Sequence, residues 1–279
     1  MLAASDIIAQ KEKFAEIIDF ETALQPPSMI MGTVIKLTST PSTQVDELVT
    51  VLSSEPTIAA FILRLSNSAL YGRSRTVDSV KEAVVMLGFH SIRSIVITHS
   101  TQKLFSDATL GKQHRDRLWE HSLATAIGAR LLSQRSLVVH PEFAYLGGLL
   151  HDIGKLLMAQ NFPEEYDALL SGEDNYASEH IRKESEIFGI DHAMAGAILI
   201  NEWLFPEPLV EAVAAHHQMC NMNSIAGTIA LADLLATKQE LNIHPHESSN
   251  DKILTDLGLM PLLNDVQSAV DEQLSLLMT

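Results

Sequence analysis

The sequence predicts an all-α fold, and three observations support that class. Leu, Ile, Ala and Val dominate an apolar fraction of 46%, while aromatic residues make up only 5%, a balance that suits packed helices better than a β-sandwich. Apolar residues recur at positions i, i+3, i+4 and i+7 along most of the chain. Prolines stand at the ends of these periodic segments, where they stop or open helices.

The first half of the chain is predicted to form a series of helices. Their predicted ranges are residues 2–24, 45–52, 56–65, 80–87 and 91–104. Thr43 to Asp46 fits a capping box ahead of the second helix, and Gly88 is expected to end the fourth. The run Ile95-Val96-Ile97 also has strand character, but we prefer a helix there because no partner strands are evident elsewhere.

The second half of the chain is also predicted to be helical. The predicted ranges are residues 117–134, 141–160, 163–171, 174–188, 191–204, 207–218 and 224–238, then a polar loop at 241–251 and apolar segments at 253–259 and 266–277. The pattern is interrupted near residues 107–112, which predicts a junction. We therefore expect an N-terminal helix (1–25), a helical N-terminal half (26–108), a histidine-bearing half (109–240) and a C-terminal loop with helices (241–279).

Charge and composition restrict the classes of partner. The formal charge is -16, from 35 acidic and 19 basic residues, which argues against nucleic acid as the main partner. Residues 61–130 hold ten Lys and Arg against five Asp and Glu, so this window is compatible with a surface for an acidic partner or with an ordinary solvated helix surface. No run approaches the roughly 18 apolar residues of a membrane helix. The single cysteine, Cys220, fits a reducing compartment, and we expect a cytoplasmic protein.

One stretch carries the strongest chemical signal. His151 and Asp152 stand side by side in the apolar segment 141–160, where ionisable groups are costly unless something satisfies them. Further imidazoles and carboxylates lie on other predicted helices: His121, His192, His216, His217 and Asp233. Side chains on facing helices can build one site, and this donor set suits Zn, Fe, Mn or a similar divalent ion. The sequence predicts a divalent-metal site, and the alternative is a decayed site inside a regulatory module.

These residues resemble a known family. His121, the pair His151-Asp152 and Asp233 match the H…HD…D pattern of the HD superfamily of metal-dependent phosphohydrolases, and the resemblance is closer to its HDOD branch. Residues 55–69, 80–93, 147–156, 189–197 and 203–206 carry it, over roughly residues 26 to 220. The resemblance implies a helical N-terminal half packed on an HD-like helical bundle. It also implies a bacterial signalling or regulatory module, because members of this branch often have no demonstrated hydrolytic activity. Such a module would act by binding a signalling protein partner.

The related HD-GYP phosphodiesterases for cyclic di-GMP add a further His and a His-His pair, which His192, His216 and His217 match in order. The sequence departs from that family after His217, where Gln218, Met219 and Cys220 replace its Glu and no Gly-Tyr-Pro signature follows. That departure weighs against hydrolysis of cyclic di-GMP. Arg117 stands one turn before His121, where some relatives have an acidic ligand.

The resemblance also implies an alternative function, a metal-dependent phosphohydrolase acting on a nucleotide or phosphodiester. In that case the first metal is held by His121, His151, Asp152 and Asp233, and Asp152 bridges to a second metal held by His192, His216 and His217. Lys155, with Arg117, then neutralises the phosphate of a phosphate-containing small molecule.

Overall fold

The computed structural model describes residues 4–14, 18, 29–68, 76–108, 110–137, 139–171, 177–218, 223–238 and 248–277. Every regular element within these residues is a helix, which confirms the predicted all-α class. Cys220 and most of the predicted loop at 241–251 lie outside the described residues. The chain divides into two compact units, Met1–Gln25 with Phe105–Gln267, and Pro26–Leu104 with Ser268–Thr279.

The helices follow one another closely along the chain. They are α1 (Ala4–Phe14), α2 (Met29–Ser39), α3 (Val45–Ser53), α4 (Pro56–Ser66), α5 (Val80–Asp107), α6 (Lys112–Ser136), α7 (Pro141–Leu150), α8 (Ile153–Asn161), α9 (Pro163–Leu170), α10 (Ala177–Phe188), α11 (His192–Glu202), α12 (Glu207–Ala214), α13 (Ile225–Lys238), α14 (Ser248–Asp256) and α15 (Leu262–Leu277). Of the part of the chain described here, no single helix is long and apolar enough to cross a membrane, and only the pair α3 and α4, bent by 116°, reaches that length and composition jointly.

The smaller unit is built on α2, α3, α4 and most of α5. Phe61, Leu52 and Ile95 lie in one buried apolar cluster of this unit. The capping box of α3 stands one residue later than the sequence predicts, because Gln44 N–H, not that of Thr43, donates to the Glu47 carboxylate at 3.2 Å. In a capping box, the N-cap residue is the one whose backbone N–H donates to the acidic side chain three residues later. Adjacent polar residues can both meet this description in a sequence.

α5 contains both predicted helices of residues 80–87 and 91–104, joined at Gly88. Gly88 has φ 77° and ψ 166°, which is not a helical conformation. The backbone therefore kinks at Gly88, between the two helical segments. The run Ile95-Val96-Ile97 is helical and buried, so the strand alternative is excluded. The predicted helix 2–24 is confirmed only over α1, and Ile18 lies in a bend.

We expect Gly88→Ala to destabilise the protein through the backbone alone. A Cβ at Gly88 meets no atom within 4 Å, so the cost comes from a φ/ψ region that only glycine adopts freely, about 1–3 kcal/mol. Gly32→Ala is the matched control, because Gly32 lies in α2 with equally open surroundings and gains about 0.5–1 kcal/mol from helix propensity. Thermal unfolding should show a lower midpoint for the first variant and a higher one for the second; equal midpoints contradict the backbone argument.

The larger unit positions the histidines. In it α6 packs on α7 and α13, α8 packs on α11, and α11 packs on α12. Ala129, Ala144 and Leu235 belong to a buried cluster shared by α6, α7 and α13. The small side chains of Ala129 and Ala144 bring helix axes close together, which places side chains from several helices within reach of one point.

The predicted single helix over residues 141–160 is wrong in one respect. The structure divides it into α7 and α8 at His151 and Asp152, with φ −56° and ψ −37° at His151 and φ −99° and ψ 7° at Asp152. Apolar periodicity continues on both sides of this break, so the sequence pattern alone does not reveal it. The 100° separation expected for neighbours in one regular helix therefore does not describe this pair.

Candidate metal centre

One group of ligand-type atoms gathers around the break between α7 and α8. His121 from α6 places Nε2 3.2 Å from Nε2 of His151 and 3.1 Å from Oδ1 of Asp233, which lies on α13. Oδ2 of Asp152 lies 3.7 Å from His121 Nε2 and 3.4 Å from His151 Nε2. We call His121, His151, Asp152 and Asp233 the first centre.

A second group lies on the other side of Asp152. His192, the first residue of α11, places Nε2 2.8 Å from Nε2 of His217. His216 directs its Nε2 towards Asp152 Oδ1 at 3.9 Å, and its ring lies with its centroid 3.8 Å from that of His217. The ligand atoms of His192, His216 and His217 all lie within 4.8 Å of one another. We call these three histidines the second centre.

Asp152 joins the two centres. Its Oδ2 faces His121 and His151, while its Oδ1 lies 3.2 Å from His192 Nε2. Asp152 occupies the N-cap position of α8, yet its side chain makes no cap hydrogen bond. Aspartate at this position ordinarily accepts a backbone N–H, and here the carboxylate is directed into the cluster.

Hydrogen bonds fix the tautomers of three imidazoles. Nδ1 of His151 donates to the carbonyl of Gly148 at 2.7 Å, and Nδ1 of His216 donates to the carbonyl of Val213 at 2.6 Å. A carbonyl only accepts, so Nε2 of each neutral ring carries a lone pair directed into the cluster. Nδ1 of His192 donates in the same way to a carboxylate, that of Glu184, at 2.6 Å.

Opposing effects set the charges of the acids and of His192. Burial acts to raise the pKa of Asp152, but His151 and Lys155 hold it well below its usual range. Burial likewise acts to raise the pKa of Asp233, and the hydrogen bond and charge of His121 lower it instead. Burial acts to lower the pKa of His192, but the charge of Glu184 raises it to about 9. Both acids are therefore anionic at neutral pH.

Burial has the opposite outcome at the other histidines. It lowers the pKa of His216 to about 3, assisted by the nearby imidazoles of His151 and His192, which disfavour a further positive charge. It also lowers the pKa of His217 and of His151. These rings are neutral at physiological pH, which is the state in which an imidazole nitrogen binds a metal.

The donor set fits a divalent cation. His216 Nε2 is buried and makes no hydrogen bond with the described residues, and the buried Asp152 Oδ1 has only its 3.2 Å contact with His192 Nε2. Two ligand atoms, each about 2.1 Å from one ion, lie roughly 3.0 to 3.4 Å apart, close to the observed spacing of His121 from His151 and from Asp233. Buried polar atoms without partners are costly, and a shared cation would satisfy them together.

The two basic side chains that the sequence interpretation assigns to phosphate binding, Lys155 and Arg117, lie in different surroundings. Lys155 is 5% exposed, and its Nζ lies 2.6 Å from Asp152 Oδ2. Arg117 is exposed on α6, and no described hydrogen bond or ion pair joins it to the two centres. The structure thus brings Lys155 into the cluster and does not bring Arg117 there.

Glu184 on α10 is a member of the site that the sequence interpretation missed. Its Oε2 accepts both the backbone N–H of His192 at 2.9 Å and the Nδ1–H of the same residue. Tyr166 OH donates to the other oxygen, Oε1, at 3.0 Å. The available signal was periodicity, because Glu184 lies midway between buried His180 and Phe188 at intervals of four residues.

Close helix packing holds the centres together. A Cβ at Gly148 would lie 2.7 Å from the backbone of Thr125, so glycine at this position lets α6 approach α7 closely. A Cβ at Gly154 would lie 1.9 Å from the carbonyl oxygen of His192. The contact at Gly154 brings the start of α11 against α8, and it therefore sets the distance from His192 to Asp152.

The cluster meets solvent along one edge. The side chains of His121, His151, Asp152, His192 and His216 are at most 2% exposed. Asp233 is 20% exposed at its side chain, and His217 is half-buried. Asp233 and His217 are therefore the members of the two centres that face solvent.

Comparison with known protein families identifies a match over most of the chain. The HDOD domain family matches residues 24–219. The chain belongs to the HDOD family. This membership confirms the resemblance seen in the motifs of the sequence.

One curated relative and two solved structures are similar to the chain at low sequence identity. The chain is 24% identical over 204 residues to an uncharacterized protein of Treponema pallidum (strain Nichols), and this match covers 70% of the chain but only 38% of the relative's length. A solved HDOD domain protein with unknown function from Geobacter sulfurreducens superposes with a TM-score of 0.75 at 22% identity, covering 96% of this chain and 98% of that one. A protein from Marinobacter aquaeolei VT8, provisionally named a signal transduction protein, superposes with a TM-score of 0.74 at 21% identity, covering 100% of this chain and 68% of its own. At these identities, the two superpositions show that the fold is similar.

Proposed function

We propose that this protein is an HDOD signalling module that binds divalent metal ions, such as Fe, Mn or Zn, at the first and second centres of its larger unit. The observation that carries the proposal is the pair of buried atoms, Asp152 Oδ1 and His216 Nε2, which point into a cluster of imidazoles and anionic carboxylates with too few hydrogen-bond partners of their own. Membership of the HDOD family and the name of the Marinobacter aquaeolei protein support a role in signal transduction. The acidic balance of the chain favours a protein or a small molecule over nucleic acid as its partner.

The chain's own residues would hold the ions. His121, His151, Asp152 and Asp233 would hold an ion at the first centre. His192, His216 and His217 would hold an ion at the second centre, to which Asp152 would contribute its other oxygen. A bound ion supplies charge neutralisation for the carboxylates and a Lewis acid for an incoming oxygen ligand. In a signalling role, its binding couples the positions of α6, α11 and α13, which carry three of the ligands, with the break between α7 and α8 and the segment after α12, which carry the others.

Metal analysis of protein purified without chelator tests this proposal. We expect up to two divalent ions per chain, with a chelator lowering the midpoint of thermal unfolding, because an ion at 100 times its Kd stabilises a protein by about 2.7 kcal/mol. His121→Ala should reduce the bound metal, while His114→Ala, a change on the same helix outside both centres, should leave it unchanged. Protein that is free of metal and whose melting does not respond to added Fe, Mn or Zn would disprove the proposal.

A second candidate function is supported by Lys155. Its ammonium group lies 2.6 Å from the bridging carboxylate and is buried beside both centres, where it could neutralise a phosphate. The alternative is therefore a metal-dependent phosphohydrolase acting on a nucleotide or phosphodiester, approached along the edge of Asp233 and His217. The chain would position the phosphate with Lys155 and hold the attacking oxygen near Asp152.

A phosphoester panel separates the two functions. If the protein is an enzyme, metal-loaded wild type hydrolyses a member of the panel. Lys155→Met should then retain its metal but lose activity by about 10²–10³-fold, the effect of removing one charge-stabilising donor. Metal-loaded protein that is inactive on nucleoside monophosphates, cyclic mononucleotides and cyclic dinucleotides leaves the signalling role.

A further inference from the structure

Glu184 is a deeply buried acid that the two proposed centres do not use as a ligand. It lies on α10, is 1% exposed, and has no salt-bridge partner among the described residues other than His192. An anion at this depth is costly, so its position calls for a specific partner. All of its observed hydrogen bonds come from two residues, Tyr166 and His192.

The contacts of Glu184 act on one imidazole. Oε2 receives the Nδ1–H of His192 at 2.6 Å and the backbone N–H of the same residue at 2.9 Å. The two bonds fix both the chain position and the ring orientation of His192, and they leave Nε2 facing Asp152 and His217. Tyr166 OH, wholly buried, holds the remaining oxygen, so the carboxylate has no freedom to turn away.

His121 offers a contrast within the same cluster. Its Nδ1 is buried and has no hydrogen-bond partner within the described part of the chain. His151 and His216 direct Nδ1 to neutral carbonyl groups, those of Gly148 and Val213. His192 is thus the one of these four rings whose Nδ1–H is held by a carboxylate. A carboxylate partner makes an imidazole a stronger electron donor at its other nitrogen than a carbonyl partner does.

We infer that Glu184, braced by Tyr166, is a positioning residue that selectively strengthens metal binding at the second centre through His192. The inference rests on the proposed function, because it presumes that His192 binds an ion. It goes further by assigning unequal strength to the two centres and by naming the residue that creates the difference. Glu184 touches no ion itself.

Calorimetric titration of metal-free protein with Zn²⁺ tests the inference. Glu184→Gln keeps the shape and lets the amide oxygen accept from His192 while its NH₂ donates to Tyr166, so it removes chiefly the charge. We expect Zn²⁺ affinity at the second centre to fall by about 10–100-fold, the usual effect of losing an outer-shell partner of a ligating histidine. Affinity at the first centre should be unchanged. Repeating the titration in a His121→Ala background isolates the second centre.

Glu186→Gln is the matched control. Glu186 lies on the same helix, is exposed and pairs with Arg182, so the same chemical change occurs away from the centres. Visible absorption of the Co²⁺-loaded protein supplies a second readout, because it reports ligand geometry. A purely structural role for Glu184 would lower the melting midpoint of metal-free protein and leave Zn²⁺ affinity and the Co²⁺ spectrum as in wild type, and this result would overturn the inference.

Two further outcomes are distinguishable. If Glu184→Gln does not fold, Tyr166→Phe decides the matter, because it retains the charge and removes one bond to it; the expected result is a smaller loss of affinity at the second centre, and wild-type affinity contradicts the inference. If wild-type protein binds no Zn²⁺, the proposed function itself fails. If wild type and Glu184→Gln bind two ions equally, only the role of Glu184 fails.

Discussion

Asp152→Asn should abolish metal binding at both centres, a larger effect than we expect from any other single ligand. Asp152 is the only one of the seven ligand-type residues with one oxygen towards each group, Oδ2 towards His121 and Oδ1 towards His192. An amide keeps the shape but loses the charge, and its NH₂ cannot accept. The fall in affinity should exceed the roughly 100-fold upper range found for outer-shell partners, and elemental analysis after dialysis measures it.

Asp233→Asn is the comparison that makes this result specific. Asp233 contacts His121 and lies on the solvent edge of the first centre, so its loss should remove one ion and leave the other. Equal losses in the two variants would show that Asp152 does not bridge. Retention of both ions in Asp152→Asn would remove it from the ligand set.

The stability of Asp152→Asn needs its own control. Lys155 would be left buried without its carboxylate partner, which costs about 3–5 kcal/mol in comparable broken pairs. The double variant Asp152→Asn with Lys155→Met removes that stranded charge. It should melt higher than the single variant in metal-free buffer while binding equally little metal, and this separates loss of ligand from loss of fold.

Gly154→Ala should destabilise the larger unit severely. The added Cβ would lie 1.9 Å from the His192 carbonyl oxygen and 2.6 Å from the backbone nitrogen of Gly196, so no side-chain rotation can relieve the contact. α8 and α11 would have to separate, and the cost should reach or exceed the roughly 3 kcal/mol upper range of ordinary overpacking. The same movement draws His192 away from Asp152, so metal affinity should fall with stability.

Gly128→Ala is the control for this prediction. Gly128 also lies in a helix of the larger unit, but the nearest atom to its added Cβ is the methyl carbon of Ala232 at 3.4 Å, an ordinary contact. Its free energy of unfolding should stay within about 1 kcal/mol of that of wild type, with helix propensity favouring alanine. Thermal unfolding and Zn²⁺ titration of both variants measure the effect. If Gly154→Ala melts like Gly128→Ala, the close approach of α8 and α11 is incorrect.

Most of the helices were predictable because their signals are local, but the predicted ranges omit α2 and place a loop over the start of α14. Apolar spacing from Val45 to Leu52 gave α3, and Pro56 marked the start of α4. The break at His151 and Asp152 was not predictable, since apolar residues continue through it and the turn is imposed by contacts with other helices. The shift of the capping box from Thr43 to Gln44 has the same origin, because neighbouring polar residues offer almost equal local preferences.

The candidate site divides in the same way. Imidazole and carboxylate side chains at His121, His151, Asp152, His192, His216, His217 and Asp233 stood out because apolar helices rarely carry them. Lys155 and Arg117 were equivalent by sequence, each close to a candidate ligand. Only packing separated them, by burying Lys155 against Asp152 and leaving Arg117 exposed. Glu184 was hidden among the charges of α10 until the fold turned it towards His192.

The sequence by itself determined the helical class of this protein and the chemical types of donor available to it. Both depend on residue identity and on spacing along one helix, which neighbouring residues fix. The tertiary structure alone decided that Asp152 faces two groups, that Glu184 supports His192, and that Gly154 sets the distance between their helices. Those relations join residues far apart in the chain, and helix-to-helix contact distances, which no local pattern encodes, control them.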